Sequence, residues 1–197
     1  MNWANFLHIY QPAGQQPDIL EAVVNQSYRP LLKGILNSDS CQITLNVTGA
    51  LLELFDKYHY HDLLSDLKKA GELGRIEFTG SAKYHALLPF LNEVDIIRQI
   101  QTNEQTLRHY LGDNLKLLGF FPPEMAYHPK LVPILENLGY SWIILDEIAY
   151  DQGLSLPANN NLYKIHDHNL KVFFRERRLS NLIMSSVFRK SLSLKEA

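Results

Sequence analysis

One feature restricts this chain's fold more than any other: short apolar, β-branched runs alternate with longer segments whose apolar residues recur every three or four positions. Residues 5–9, 42–47, 75–79, 115–121 and 141–147 have strand character. Between them, helical spacing runs from Asp18 through Leu36, over 49–58, over 61–70, over 93–111 and over 129–139. Pro30 lacks a backbone N–H, so it kinks or breaks the first of these helices. Gly112 and Gly139 sit where helices should stop, since glycine relaxes into the left-handed backbone of a helix end.

The strand cores are apolar runs rather than strict alternations, which predicts a parallel sheet with both faces covered by helices. Four or five βα units are too few for a closed barrel of eight. The pattern therefore allows either an open doubly wound sheet or an incomplete barrel. Beyond Asp151 the order changes: residues 159–175 predict two short strands joined by a turn around His168-Asn169. The last ten residues, F-R-K-S-L-S-L-K-E-A, have helical propensity without a cap, so the expectation is one domain over 1–197 that is cut off mid-pattern.

Composition narrows the function classes. A net charge of -2 with scattered basic residues gives no electrostatic footprint for nucleic acid or an anionic membrane surface. A single cysteine, Cys41, has no internal disulfide partner, and the first ten residues do not resemble a secretory leader, so the expected location is cytoplasmic. No apolar run approaches the roughly 18 residues of a membrane span. Neither G-x-G-x-x-G nor G-x-S-x-G occurs. His59 and His61 lack the spacing of a zinc motif, so neither a metal nor a cofactor is expected.

Parallel βα folds collect their sites at the carboxyl ends of the strands. Polar and ionisable residues fall there repeatedly: His8, Tyr10 and Gln11 after the first strand, Glu77 in the third, Glu124 after the fourth, Asp146-Glu147 after the fifth and Arg175 after the last. Glu124 follows Pro122-Pro123, which fix two φ angles and could aim a carboxylate; the alternative is an acid favoured near a helix N-terminus. His8 lies among apolar residues, where a core histidine bonded to the backbone is the commoner explanation. Glu77, between Ile76 and Phe78, is more informative, because a carboxylate is seldom buried without a partner. Tyr84-His85 and Tyr127-His128 pair an aromatic with an imidazole, suited to stacking on sugar rings and bonding their hydroxyls. Asp146 is either a second acid or a helix cap.

H-I-Y-Q-P at 8–12, I-E-F-T-G-S-A-K-Y-H-A-L-L-P at 76–89, G-F-F-P-P-E-M-A-Y at 119–127 and W-I-I-L-D-E at 142–147 resemble, in order, the conserved sequence regions of glycoside hydrolase family 57. With F-F-R-E-R-R-L-S-N-L-I at 173–183, the resemblance covers about residues 4–185. It implies an α/β fold of the incomplete (β/α)7-barrel type and a retaining α-glucan hydrolase or glucanotransferase acting on an α-glucan or maltooligosaccharide. Glu124 matches the family's nucleophile, and His8, Gln11, Glu77, Tyr84, His85, Tyr127 and Asp146 become expected substrate-binding residues. Tyr10 stands where the family usually has a second histidine. The family's acid/base, an aspartate in a later D-G-E-N-like region, has no counterpart in these 197 residues. The rest of the catalytic domain is thus expected downstream. A polysaccharide deacetylase, using metal-bound water on a related barrel, and a non-catalytic glucan-binding module are the competing readings.

Overall fold

The apolar runs pair side by side into one seven-stranded sheet in the order β1-β2-β3-β4-β5-β7-β6. The computed structural model describes residues 4–158 and 161–189. β1 (Phe6–Ile9), β2 (Ile43–Val47), β3 (Ile76–Gly80), β4 (Gly119–Phe120), β5 (Trp142–Asp146) and β7 (Lys171–Arg175) are parallel to their neighbours, and only β6 (Tyr163–Lys164) pairs antiparallel, with β7. The two short strands expected after Asp151 are thus a hairpin; Asn159 and Asn160, which belong to that expectation, lie outside the described residues, as does most of the 188–197 segment.

Curvature decides between the two architectures that the alternation left open. Phe121 follows β4, three strands from β1, and in a flat sheet spaced at about 4.8 Å the two strands would lie roughly 14 Å apart. Yet the Phe6 and Phe121 rings meet at 5.2 Å between centroids, and His8 and Phe121 at 4.8 Å. The sheet therefore curls around a concave face on which Phe6 and His8 point inward. The intervening Leu7 and Ile9 turn outward, as the two-residue period of a strand requires.

Outside the curl, Leu45, Val47 and Phe78 pack against Leu20, Leu51, Phe55 and Leu67 of α1 (Pro17–Val23), α3 (Gly49–Lys57) and α4 (His61–Glu72). A second core joins Phe120, Ile143 and Leu145 to Ile96 and Ile100 of α5 (Glu93–Leu111) and to Leu131 and Leu135 of α6 (Leu131–Asn137). Coverage of both sheet faces holds for the middle of β5, where Ile143, Ile144 and Leu145 are all buried. It does not hold for β1–β3, whose concave side carries His8, Thr44, Asn46, Glu77 and Thr79; there the helices cover the outer face only.

Two boundaries differ from the sequence expectation for physical reasons. The strand expected over 115–121 forms only at Gly119–Phe120, because Arg108 at the end of α5 donates to the carbonyls of Asp113 and Leu115 and binds this stretch as a helix exit. The helix does not break at Pro30: a π-turn over Val24–Tyr28 runs directly into α2 (Arg29–Asn37), with the proline in the first turn of α2, where no N–H is required.

The start of α5 is fixed by its cap. Asn92 Oδ1 accepts from Asp95 N at 2.9 Å and Asn92 Nδ2 donates to Asp95 Oδ2 at 2.8 Å. Since the cap satisfies an otherwise unpaired helix N–H, Asn92→Ala is expected to cost about 1 kcal/mol in a urea-unfolding measurement, with Asn92→Ser, which keeps a capping oxygen, losing less.

Candidate active site at the carboxyl rim

Phe120 ends β4 deep in the second core, and the chain leaves the sheet through Phe121, whose N–H donates to Gly80 O at 2.9 Å. Pro122 and Pro123 are buried and close a tight turn, in which Met125 N donates to Pro122 O and Ala126 N to Pro123 O. Glu124 sits in this turn with φ +57°, followed by Met125 at φ +53°. Left-handed backbone costs a non-glycine residue roughly 1–2 kcal/mol, so two in succession persist only because the prolines and hydrogen bonds impose them. α6 begins seven residues later with no acid in its first turn, which removes the helix-start explanation of this carboxylate.

The Glu124 side chain projects into the open, 72% exposed, and its Oε1 lies 3.0 Å from Nε2 of His85. His85 comes from the loop after β3, also in left-handed backbone at φ +55°. Its side chain is only 11% exposed, and its ring packs nearly parallel beside both Tyr10 (4.5 Å, 19°) and His8 (4.9 Å, 18°). A carboxylate only accepts, so His85 Nε2 carries the proton of this bond.

His8 is fixed from below. Buried Asn46 gives its Nδ2 to Thr79 Oγ1 at 3.0 Å, which leaves its Oδ1 to accept from His8 Nδ1 at 2.8 Å. His8 Nε2 is then the lone-pair nitrogen. Although the His8 residue keeps solvent exposure on the concave side, ring packing removes enough water to lower its pKa below the usual histidine value. The Asn46 bond and the Glu124 charge oppose this only partly, and nearby His85 adds to the lowering, so the ring is neutral at pH 7. Burial raises the Tyr10 phenol pKa, so it remains a donor.

Of the residues selected from the sequence, His8, His85 and Glu124 thus converge with Tyr10. The others are placed elsewhere. Gln11 Nε2 donates to Tyr28 Oη at 3.2 Å, and Tyr28 in turn donates to Tyr10 O, bracing the turn after β1. Glu77 is on the concave face nearer the start of β3, accepting from Thr44 Oγ1 at 3.3 Å. Tyr84 is exposed over the ammonium of Lys83, itself buried and paired to Glu53 at 2.7 Å. Tyr127 lines an apolar pocket of about 170 Å³ with Leu145, Tyr150, Tyr163 and Phe174, and burial raises its phenol pKa. Of the two readings of Asp146, the cap is seen: it accepts from Ile148 N at 3.1 Å and faces Arg175 and Arg177 at 3.9 and 3.6 Å. Asn46 and Phe121 complete the site without having been selected. A lone asparagine within T-L-N-V was the available signal for the first, because an amide in a buried strand requires a partner. Among the described residues, no three His, Cys, Asp or Glu side chains gather closely enough to share a metal ion.

Parallel strands curled into part of a barrel, helices outside, and a strained carboxylate with two imidazoles and a phenol at the carboxyl rim define a β/α-barrel scaffold with its site where such barrels carry chemistry. The chain belongs to Glycosyl hydrolase family 57, whose profile matches residues 2–188. It is 26% identical over 144 residues to alpha-amylase 1 of Dictyoglomus thermophilum, covering 73% of this chain and 21% of the amylase. With the 4-alpha-glucanotransferase of Thermococcus litoralis it shares 28% identity over 158 residues, 79% of this chain and 23% of that protein. The crystal structure of the latter superposes with a TM-score of 0.81 at 23% identity, over 91% of this chain and 28% of the other. This chain is an incomplete (β/α)7-type barrel, and it spans about a quarter of the length of these relatives.

Proposed function

We propose that this chain supplies the nucleophile of a retaining α-glucan hydrolase or transglycosidase, with Glu124 as that nucleophile. One observation carries the reading: the carboxylate is held in strained backbone at the strand ends, solvent-open on one side and, among the described residues, hydrogen-bonded through one oxygen only. The family relationship, and the amylase and glucanotransferase activities named for the relatives, support an α-glucan as substrate.

In this mechanism a Glu124 oxygen attacks the anomeric carbon, the bond from that carbon to the leaving oxygen breaks, and the leaving oxygen takes a proton from a second carboxylic acid about 5–5.5 Å away. Water or a glucan hydroxyl then attacks the same carbon from the opposite side, releasing the ester to Glu124 and passing its proton to the second carboxylate. Neutral His8 and the Tyr10 phenol offer an acceptor and a donor to sugar hydroxyls beside the reacting carbon. The proton donor is taken to be the family's later aspartate, which the 197 residues do not contain.

The expected outcome is little or no turnover of maltooligosaccharides or of an aryl α-glucoside by the 197-residue chain alone, measured by reducing-end release and absorbance. Substantial aryl α-glucoside hydrolysis that disappears in Glu124→Gln would contradict the missing-acid part of the proposal and move the proton donor to a local group such as Asp146.

A further inference from the structure

Resting on the nucleophile reading of Glu124, we infer that His85 is a positioning residue. It orients Glu124 by a single hydrogen bond from its Nε2, so that Oε2 is the oxygen that attacks.

An exposed glutamate otherwise samples many rotamers, and holding it in one costs side-chain entropy. Glu124 has one side-chain hydrogen-bond partner among the described residues, His85 Nε2, on Oε1. His85 can hold it because His85 cannot move: Tyr10 and His8 stack on its ring, its N–H closes a turn on Ala82 O, and its backbone is left-handed like that of Glu124. The two strained residues of two separate loops thus meet in one contact.

The other ring nitrogen adds no second anchor: His85 Nδ1 is buried and meets no hydrogen-bond partner among the described residues. The polar contact of the ring is therefore the Nε2–H bond to Glu124 Oε1, and a carboxylate with one oxygen occupied presents the other to the anomeric carbon.

The test separates the hydrogen bond from the packing. 5-Fluoro-α-glucosyl fluoride needs little protonation to react: Glu124 Oε2 forms an ester to the anomeric carbon as the carbon–fluorine bond breaks and fluoride leaves with its electron pair. The adduct is read by intact-protein mass. His85→Phe keeps an aromatic ring for the stack and removes the donor; His85→Gln removes the ring and keeps an amide N–H near the position of Nε2. The trapping rate is expected to fall about 10- to 100-fold in His85→Phe and to stay within about threefold of wild type in His85→Gln, with both variants folded by circular dichroism. Equal trapping in wild type and His85→Phe, or a slower His85→Gln than His85→Phe, overturns the positioning role in favour of packing. Absence of trapping in wild type overturns the nucleophile reading, and the His85 inference with it. If His85→Phe fails to fold, His85→Leu, which removes the donor and keeps apolar bulk, takes its place in the same comparison with His85→Gln: slow trapping in His85→Leu beside near-normal trapping in His85→Gln supports the role, and equal trapping in wild type and His85→Leu contradicts it.

Discussion

Glu124→Gln is expected to abolish glycosyl-enzyme formation, lowering its rate by about a thousandfold or more while leaving the fold intact. Glutamine has the same shape and its carbonyl oxygen still accepts from His85 Nε2, so the turn, its left-handed backbone and the ring stack are kept. What is lost is the anionic oxygen. A neutral amide does not form the ester, and a thousandfold loss corresponds to about 4 kcal/mol of barrier. Because the Glu124 side chain is largely exposed, unfolding free energy should change by no more than about 0.5 kcal/mol. The pair of measurements, trapping rate and urea midpoint, distinguishes a reacting group from a structural one. Equal losses of stability and rate would indicate that the carboxylate holds the loop together.

The second large effect is on stability. Gly80 ends β3 directly under the Tyr140 side chain, and a Cβ there would lie 2.0 Å from Tyr140 Oη and 2.5 Å from the ring. Tyr140 is buried and its hydroxyl donates to Glu104; burial and that carboxylate together push the phenol pKa far above its usual value, so the hydroxyl remains a donor. Gly80→Ala must displace the ring and with it the charge-assisted bond. Overpacking and the lost bond together are expected to cost about 3–5 kcal/mol in urea unfolding. Gly80 O also receives the Phe121 N–H, so the same shift is carried to the turn that bears Glu124. Tyr140→Phe in the same chain removes the nearest atom of the clash. The double variant should therefore lose less than the sum of the two single changes, the sign of direct coupling.

Much of the architecture was legible in the sequence because its periods are local. The strands at 5–9, 42–47, 75–79 and 141–147 and the helix at 93–111 form where apolar spacing and caps put them, to within a residue or two. Strand four was not legible in its length: L-K-L-L is as apolar as a strand, but Arg108, three residues before the end of α5, takes the carbonyls of Asp113 and Leu115, a contact with no local signature. The curl of the sheet was equally hidden. It is expressed in Phe6 and His8 reaching Phe121 across three strands, and periodicity does not report such distances.

The site divides in the same way. Two prolines before an acid identified the Glu124 turn as stiff, and the rim position of His8 and His85 placed them near it. That His85 spends its nitrogen on Glu124, and that His8 spends one of its own on Asn46, depends on loops from different strands meeting. Gln11, with the same rim position in the sequence, turns instead toward Tyr28, because the π-turn that follows α1 lies close enough to engage it.

The central claim is that Glu124 is the atom source of the covalent bond to sugar. The most direct measurement is peptide mapping of the chain after trapping with 5-fluoro-α-glucosyl fluoride. The account predicts one added glycosyl ester, located on Glu124 within G-F-F-P-P-E-M-A-Y and absent in Glu124→Gln. An adduct on another carboxylate, such as Asp146 or Glu77, or one that persists undiminished in Glu124→Gln, would contradict it.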